Sequence, residues 1–485
     1  MAMLEARNLT FSYDGATKVL DSLDFRVKRG EIVVITGSTG SGKSTMAKCL
    51  AGFIPRSIPG EFSGSITVDD VDTSELPIAE VARQVALVQQ DPESQICTLQ
   101  VADEVAFGPE NYGINPEEIA SLVNSSLNAV GSSHLHSRAT FELSGGEKQR
   151  LIIASMIACQ PNYLILDEPS SSLDPTGVLQ LRNILRDLKS QNIGILLIEH
   201  NLSTVQPVAD RMLLLSEGKL HSLEFEHPEP TERTSRELHT PSTVVLSTQN
   251  LSFSYGDRQV INNVSFGINK GEIIGLMGSN GSGKTTLLGL LGGLLVPESG
   301  DVYQGDSSLE KMSAKDIART TATVFQNPNH QIFEKTVWKE QNLTLNSLDL
   351  VSSETLQQSE NTLKRAKLVG MKERNPFSLS HGQKRRLNVT STTVHKPEIL
   401  FFDEPFIGQD QEGREFILET VHETVKEGGT ALIVTHDPVF VKNHCNRAIF
   451  MENGAILLDG DPLSVLDRLE SLGHQEYAEL GVKPS

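Results

Sequence analysis

Two nine-residue stretches decide the fold: Gly37-Ser-Thr-Gly-Ser-Gly-Lys-Ser-Thr45 and Gly278-Ser-Asn-Gly-Ser-Gly-Lys-Thr-Thr286. Each follows an apolar run, at residues 31–36 and 272–277, that is typical of a buried parallel strand. The glycines let backbone N–H groups close around a phosphate, and the N-terminus of the following helix adds positive partial charge. The sequence therefore predicts two phosphate-binding loops (P-loops), each joining a strand to a helix in an α/β sheet.

The side chains of each P-loop have separate expected roles. Lys43 and Lys284 are expected to reach the β- and γ-phosphates of a nucleotide, and Ser44 and Thr285 to hold Mg²⁺. The other loop residues expected to contact the nucleotide are Gly37, Ser38, Gly40, Gly42, Thr45, Gly278, Ser279, Gly281, Gly283 and Thr286.

The two P-loops belong to an internal repeat of the whole domain. Their lysines are 241 residues apart, and every later pair is 236 residues apart: Gln90 with Gln326, Ser144 with Ser380, Asp167 with Asp403, and His200 with His436. The repeat predicts a first domain at residues 1–222, a polar, acidic, proline-containing linker at 223–242, and a second domain at 243–485.

Two carboxylates follow a second pair of apolar runs, at residues 163–167 and 399–403. Asp167 and Asp403 end these runs, which places them at the carboxyl edge of the sheet, where a Mg²⁺-associated carboxylate belongs. Glu168 and Glu404 follow directly and are candidates to orient or deprotonate the attacking water. A third pair of runs, at 193–198 and 431–435, precedes His200 and His436.

Composition narrows the class of protein. A formal net charge of −20 argues against a general nucleic-acid binder, because phosphate backbones favour clustered Lys and Arg. No signal peptide or membrane-spanning helix is evident, so any action on a membrane is expected to need a partner. The four cysteines are scattered, which favours free thiols over a disulfide framework or a zinc site.

A further segment is specific for one class of P-loop ATPase. Leu143-Ser-Gly-Gly-Glu-Lys-Gln-Arg150 resembles the ABC signature motif, and Ser144 with Glu147 predicts a capping box at a helix start. The resemblance implies two tandem ABC ATPase domains, each with a RecA-like core, an antiparallel β subdomain and a helical signature subdomain. It also implies an intrachain pseudo-dimer, in which the signature of each half closes on the nucleotide bound by the other. The signature residues expected at these sites are Ser144, Gly145, Gly146, Ser380 and Gly382.

The ABC resemblance assigns the remaining site residues. Tyr13 and Tyr255 resemble the aromatic residue that stacks on adenine, with a core tyrosine as the alternative. Gln90 and Gln326 match the Q-loop glutamine, which contacts Mg²⁺ and lies near the membrane partner. Asp174 and Asp410 match the D-loop, and His200 and His436 match the switch histidine beside the catalytic Glu168 and Glu404.

Other segments resemble energy-coupling factor (ECF) importers. They are Gln90-Asp-Pro-Glu-Ser-Gln95, Gln326-Asn-Pro-Asn-His-Gln-Ile-Phe333, Val101-Ala-Asp-Glu-Val-Ala-Phe-Gly-Pro-Glu-Asn111 and Leu379-Ser-His-Gly-Gln-Lys-Arg-Arg386. This resemblance implies an ATP- and Mg²⁺-dependent subunit on the cytoplasmic face of the membrane that energises uptake of a vitamin, a vitamin precursor or a transition-metal ion. Its implied partners are a T-type transmembrane scaffold and a substrate-binding S component. A tandem ATPase of a sugar importer and a ribosome-associated ABC-F ATPase are the alternatives.

The two halves differ at the expected partner surface and in the signature. Asp91, Glu93, Asp103, Glu104 and Glu110 are candidates for an acidic scaffold-binding surface in the first half, with an ordinary solvated face as the alternative. The second half has Asn327 and Asn329 instead, which predicts that the halves bind the scaffold unequally. His381 replaces a signature glycine. Both sites are expected to hydrolyse ATP, with rates that can differ.

Overall fold

The computed structural model describes residues 2–171, 173–223 and 243–481. The chain divides into two compact units, Met1–Glu226 and His227–Ser485. The linker predicted at 223–242 lies outside the described residues, apart from Leu223.

The first unit contains ten strands and seven helices among its described residues. The strands are β1 Met3–Ser12, β2 Lys18–Lys28, β3 Ile32–Thr36, β4 Glu61–Val68, β5 Val71–Asp72, β6 Val85–Val88, β7 Tyr163–Asp167, β8 Gly194–Ile198, β9 Arg211–Ser216 and β10 Lys219–Leu223. The helices are α1 Lys43–Leu50, α2 Phe53–Arg56, α3 Ile78–Gln84, α4 Val101–Asn111, α5 Pro116–Ala129, α6 Gly145–Ala158 and α7 Pro175–Ser190.

These strands form two separate sheets, one antiparallel and one mainly parallel. An antiparallel sheet has the order β2-β1-β4-β5, and a six-stranded sheet has the order β10-β9-β3-β8-β7-β6. In the six-stranded sheet only the β9–β10 pair is antiparallel. Strands β3, β7 and β8 run in the same direction, so their carboxyl ends, and the segments that follow them, share one edge.

The six-stranded sheet separates two apolar cores, because alternate residues of a strand face opposite sides. Val33 and Ile35 pack with α1 and the antiparallel sheet, whereas Ile32 and Val34 pack with α4, α5, α6 and α7. Strands buried on both faces read as continuous apolar runs, which is why the sequence predicted them.

The second unit repeats this plan and adds helices at its end. Its strands are β11 Val244–Tyr255, β12 Arg258–Val264, β13 Gly267–Asn269, β14 Ile273–Gly278, β15 Ser299–Gln304, β16 Ser307–Ser308, β17 Thr321–Val324, β18 Ile399–Asp403, β19 Thr430–Val434, β20 Arg447–Glu452 and β21 Ala455–Gly460. Its helices are α8 Lys284–Leu291, α9 Ala314–Thr320, α10 Val337–Gln341, α11 Leu343–Ser347, α12 Ser353–Arg365, α13 His381–Thr393, α14 Gln411–Lys426, α15 Pro438–His444, α16 Pro462–Ser471 and α17 Gln475–Gly481.

The sheets of the second unit have the orders β12-β11-β15-β16, with β13 also paired to β11, and β17-β18-β19-β14-β20-β21. Helices α16 and α17 pack against α15 and the β20–β21 hairpin. The six predicted strand runs match β3, β7, β8, β14, β18 and β19 to within one residue at each end. Within the described ranges, no helix is both long enough and apolar enough to span a bilayer.

Candidate nucleotide sites

Each P-loop closes around its own lysine. The Nζ atom of Lys43 donates hydrogen bonds to the carbonyl oxygens of Gly37, at 2.8 Å, and Ser38, at 2.9 Å. Lys284 makes the same two bonds in the second unit, to Gly278 at 2.8 Å and to Ser279 at 2.9 Å. Both lysines are buried, so the loop fixes their position at the start of α1 and α8.

Glycine is required at the first P-loop position of both units. The φ angles are 155° at Gly37 and 146° at Gly278. A Cβ atom would lie 2.3 Å from the carbonyl oxygen of Leu215 or Met451, on the neighbouring strand of the central sheet. Any larger residue would therefore move the loop off the sheet.

The predicted metal residues lie together at the carboxyl edge of the sheet. The Thr285 hydroxyl donates to Asp403 Oδ2 at 2.8 Å, and the Ser44 hydroxyl bonds Asp167 in the first unit. Burial raises the pKa of both aspartates above the ordinary value, although these hydroxyl contacts act in the opposite direction. Asp167 Oδ1 is buried and has no hydrogen-bond partner among the described residues.

The first catalytic candidate, Glu168, is held by two side chains. His200 Nε2 lies 3.0 Å from Glu168 Oε1, and Gln90 Nε2 donates to Glu168 Oε2 at 2.7 Å. The structure therefore brings together three residues that the sequence placed at one site. These contacts fix the direction of a carboxylate that is otherwise free to rotate.

The second catalytic candidate has fewer contacts. His436 Nε2 lies 3.3 Å from Glu404 Oε1, but no hydrogen bond joins Gln326 to Glu404 in the part of the chain that the structure describes. Burial raises the pKa of Glu404 to about 8, with the nearby Lys284 acting against this shift.

Both glutamates occupy an unusual backbone conformation that the sequence did not reveal. The φ angle is 51° at Glu168 and 46° at Glu404, in the left-handed region that non-glycine residues rarely adopt. Their N–H groups donate to Ile198, at 2.9 Å, and Val434, at 3.1 Å, on the adjacent strand. Such conformations concentrate at functional sites, where the surrounding structure holds them in place.

The two tyrosines predicted to stack on adenine are on the surface. Tyr13 is 50% exposed and Tyr255 is 55% exposed, so the alternative of core tyrosines is wrong. Each ring packs edge-to-face on the phenylalanine two residues before it, Phe11 or Phe253, with centroids 4.8 Å and 4.9 Å apart. The Tyr13 hydroxyl also bonds Thr45 Oγ1 at 3.0 Å, which places Tyr13 beside the P-loop.

Both signatures start a helix with the predicted capping geometry. Ser144 and Glu147 form a capping box at the start of α6, and Ser380 and Gln383 form one at the start of α13. His381 lies against Gly408, since a Cβ on that glycine would be 2.8 Å from His381 Nδ1. At the equivalent Gly145 a Cβ would meet no atom within 4 Å.

The D-loop aspartates have a local structural role that the sequence analysis missed. Asp174 Oδ1 accepts a hydrogen bond from the Gly177 N–H at 2.8 Å, and Asp410 Oδ1 accepts one from the Gly413 N–H at 2.9 Å. Both residues are therefore N-caps, of α7 and α14. The Asp-Pro pair at the start of α7 was a readable signal.

Comparison with known proteins identifies the family. The sequence profile described as ABC transporter matches residues 20–171 and 261–407, which is more than half of the chain. The chain belongs to the ABC transporter family. It is a tandem ATP-binding protein of that family, with two ABC ATPase domains, and such subunits hydrolyse ATP coupled to transport.

Two curated relatives cover almost the whole ABC protein. One, from Methanosarcina mazei, has the provisional name ABC transporter ATP-binding protein; it is 33% identical over 97% of this chain and 91% of its own length. The other, from Bacillus subtilis, has the provisional name HMP/thiamine import ATP-binding protein YkoD. It is 30% identical over 96% of this chain and 93% of its own length.

A solved structure shares the fold of this ABC protein. Archaeal ribosome recycling factor aABCE1, in complex with the ribosomal stalk protein aP1, aligns over 96% of this chain and 92% of its own, with a TM-score of 0.69. The identity is 22%, so the similarity concerns the fold alone.

The sequence analysis assigned no role to one residue near the first nucleotide site, Glu199. Glu199 precedes the switch histidine of the first unit, where the second unit has Thr435. Its side chain is buried and accepts a hydrogen bond from the N–H of Ser170, which lies two residues after the catalytic candidate Glu168, at 2.9 Å. Burial raises its pKa to about 8, despite the opposing effect of the Ser170 contacts. The mismatch with Thr435, at a position otherwise in register, was the available signal.

The expectation for Glu104 is wrong. This residue was predicted to belong to an acidic partner surface, but it is buried at 4% exposure. Its Oε2 atom accepts hydrogen bonds from the Cys97 N–H at 2.9 Å, and from the Thr98 N–H at 2.8 Å and Thr98 Oγ1 at 2.9 Å. Glu340 does the same for the equivalent loop of the second unit. A carboxylate that satisfies backbone donors in the interior is not available to a partner.

Proposed function

We propose that this ABC protein is the ATP-hydrolysing subunit of an ECF-type importer. In this proposal it lies on the cytoplasmic face of the membrane and binds a T-type scaffold and a substrate-binding S component. The domain division at 1–222, 223–242 and 243–485 is part of the proposal. The prediction that each ATP site takes its signature from the other half stays a prediction.

The observation that supports the ECF assignment most is the internal bonding of the Q-x-P-x-x-Q segments. Gln95 Oε1 accepts from the Gln89 N–H at 2.7 Å, and its Nε2 donates to Leu87 O at 3.0 Å. Gln331 bonds Phe325 N–H at 2.8 Å and Thr323 O at 2.6 Å in the second unit. The second glutamine of each motif thus bonds back to the residues at the start of the segment. These bonds close each Q-loop, residues 87–95 or 323–331, so the motif that resembles ECF importers forms a defined loop.

The relative YkoD supports the substrate class. Its provisional name concerns import of HMP and thiamine, and it matches this chain over nearly its full length. Among the cargo classes that the sequence left open, this favours a vitamin or vitamin precursor. In ECF systems the S component, which is a separate chain, selects the cargo.

The residues at the sheet edge fit Mg²⁺ and ATP. A serine or threonine hydroxyl beside a buried carboxylate supplies the oxygen ligands that Mg²⁺ prefers, and Asp167 Oδ1 is buried with no partner among the described residues. A Cβ at Gly37 would lie 2.3 Å from Leu215 O and 2.9 Å from Ser41 Oγ, so only glycine lets the phosphate-binding loop pack this closely against the sheet. Ser44, Thr285, Asp167 and Asp403 would hold the ion, which would offset phosphate charge when bound.

In this proposal the other side chains of each site bind the phosphates and activate the attacking water. Lys43 and Lys284 bind the β- and γ-phosphate oxygens, and the loop amides add further donors. Glu168, with its direction fixed by His200 and Gln90, accepts the proton of the attacking water. Glu404 and His436 form the second such pair.

Affinity purification of the full chain with its membrane partners tests the proposal. The tagged chain is purified from detergent-solubilised membranes, and the co-purifying proteins are identified by mass spectrometry. We expect an ECF scaffold and a small S component. The transmembrane subunits of a sugar importer would replace the ECF assignment, and recovery with ribosomes in place of membrane proteins would favour the ABC-F alternative.

A residue swap between the units tests unequal binding of the scaffold. Asp91 Oδ1 accepts from the Glu93 N–H at 3.0 Å, and Asn327 Oδ1 accepts from the Asn329 N–H at 2.9 Å, so both turns have the same shape. The double variant Asp91→Asn and Glu93→Asn therefore removes charge while keeping the cap. We expect it to reduce scaffold recovery, whereas the reciprocal Asn327→Asp and Asn329→Glu variant retains it. Equal recovery with both variants would refute unequal binding.

A further inference from the structure

The signature helix of the second unit bonds its Q-loop through polar contacts at positions where the first unit has other residues. Arg385, on the first turns of α13, is fully buried, and its guanidinium donates to the carbonyl oxygens of Phe325 and Gln326. One turn further along, Asn388 Nδ2 donates to Pro328 O at 2.8 Å. Two side chains of one helix therefore bind three backbone carbonyl groups of the Q-loop, those of Phe325, Gln326 and Pro328.

The first unit has different residues at both positions. The repeat offset places Gln149 opposite Arg385 and Ile152 opposite Asn388. Gln149 Nε2 is buried and has no hydrogen-bond partner within residues 2–171, 173–223 and 243–481. Ile152 is apolar and packs in the core. The ion pair of Lys148 with Glu93 also joins α6 to the first Q-loop, but its counterpart in the second unit is the bond from Lys384 Nζ to Asn329 Oδ1 at 3.0 Å, so this contact is common to both units.

The hydrogen bonding of the Q-loop glutamine also differs between the two units. Gln90 donates to the catalytic Glu168 at 2.7 Å, whereas no equivalent bond joins Gln326 to Glu404 among the described residues. Both loops share the bonds made by Gln95 or Gln331, so the shared motif does not account for this difference. The contacts of Arg385 and Asn388 are confined to the second unit and involve the backbone of Gln326 itself.

We propose that Arg385 is a positioning residue that fixes the Q-loop of the second unit to its signature helix. These buried contacts make the second Q-loop move together with α13, whereas the first Q-loop is bonded to its catalytic glutamate and is joined to α6 by the Lys148–Glu93 ion pair without such buried contacts at positions 149 and 152. A buried guanidinium suits this role because it donates several hydrogen bonds in a rigid planar arrangement. The inference concerns one unit by itself and does not depend on the identity of the membrane partner.

Amide hydrogen exchange in the full-length chain tests the inference. The Phe325 N–H, bonded to Gln331, reports on the second Q-loop, and the Gln89 N–H, bonded to Gln95, is its matched control in the first. In Arg385→Gln, which installs the residue of the first unit, we expect exchange of the Phe325 N–H to accelerate at least tenfold. Exchange of the Gln89 N–H is expected to stay within twofold of the parent chain, and Arg385→Lys is expected to restore part of the protection.

Two results would overturn the inference. One is unchanged exchange of the Phe325 N–H in Arg385→Gln; the other is equal acceleration throughout the second unit, which would mean that Arg385 only stabilises the core. If Arg385→Gln does not fold, Asn388→Ile decides the matter, since the fold accepts isoleucine at the equivalent position 152. Accelerated exchange of the Phe325 N–H in that variant, without acceleration in the rest of the second unit, would support the link, and unchanged exchange would refute it. A Mg²⁺ titration of ATPase activity gives a second readout, in which we expect Arg385→Gln to raise the half-saturating concentration more than it lowers kcat.

Discussion

Glu199→Gln changes the pH dependence of stability in a predictable way. The carboxyl group is buried beside Glu168 and Asp167, and burial raises its pKa to about 8 from an ordinary value near 4.5. The folded state therefore binds a proton that the unfolded state releases between these two pKa values. Stability from this group is complete below about pH 4.5 and is lost as the pH rises toward 8.

The size of the effect follows from the pKa shift. Over the range from pH 5 to pH 8, a carboxyl with these two pKa values lowers the free energy of unfolding by about 3 kcal/mol. Glutamine has nearly the same shape and can still accept from the Ser170 N–H, but it does not titrate. The variant is expected to gain about 3 kcal/mol relative to the parent at pH 8, with little difference at pH 5.

Differential scanning calorimetry at several pH values from 5 to 8 measures this difference. For a unit of this size, about 3 kcal/mol corresponds to roughly 6–12 °C in Tm. The assay compares the Glu199→Gln variant with the parent and with Glu217→Gln, a control at an exposed position. If the Tm difference between Glu199→Gln and the parent is the same at pH 5 and pH 8, the buried carboxyl is ionised throughout and the reasoning is wrong.

Three further predictions concern catalysis, packing and nucleotide binding. Glu168→Gln and Glu404→Gln should each reduce steady-state ATPase activity of the assembled complex, by about 10²-fold where the sites act together; full activity in either variant would show that its site is dispensable. Gly108→Ala should lower the free energy of unfolding in urea by about 1–3 kcal/mol, because the new Cβ would lie 2.3 Å from Cys159 Sγ, while Gly370→Ala, with open space around it, should change it by less than about 0.5 kcal/mol. Tyr13→Ala should weaken ATP binding by about 1–3 kcal/mol in calorimetric titration, and unchanged affinity would refute adenine stacking.

The central sheet was predictable because its strands are buried on both faces. Such strands are continuous apolar runs. The glycine-rich segments that follow β3 and β14 match the P-loop pattern, which identifies these two loops directly. The predicted capping box at Ser144 and Glu147 is confirmed, because four consecutive residues determine it. The in-register repeat then located each later motif in the second unit.

Contacts between distant segments could not be predicted in the same way. The left-handed backbone at Glu168 depends on the neighbouring strand β8, which is about thirty residues away in sequence. Glu104 looked like a surface acid, but its partners are backbone N–H groups of a loop that precedes its own helix. The glycine in the Phe-Gly-Pro-Glu-Asn segment is explained by packing, since α4 passes close to Cys159 at the end of α6.

The differences between the units were visible in sequence but had no evident meaning there. Arg385 opposite Gln149, and Glu199 opposite Thr435, are single mismatches in an otherwise regular repeat. Only the structure shows that Arg385 bonds the Q-loop and that Glu199 is buried near the proposed catalytic Glu168. Repeats of this kind offer a direct control, because each unit supplies the substitution to be tested in the other.

ATP-driven uptake in proteoliposomes tests the central claim most directly. The chain is reconstituted with its co-purified membrane partners, ATP is supplied on the side of the ABC subunit, and accumulation of a labelled vitamin or vitamin precursor is measured. The account predicts uptake that requires both ATP and Mg²⁺ and that the double variant Glu168→Gln and Glu404→Gln abolishes. Uptake that persists in the double variant, or ATP hydrolysis by the complete complex with no uptake of any member of this cargo class, would contradict it.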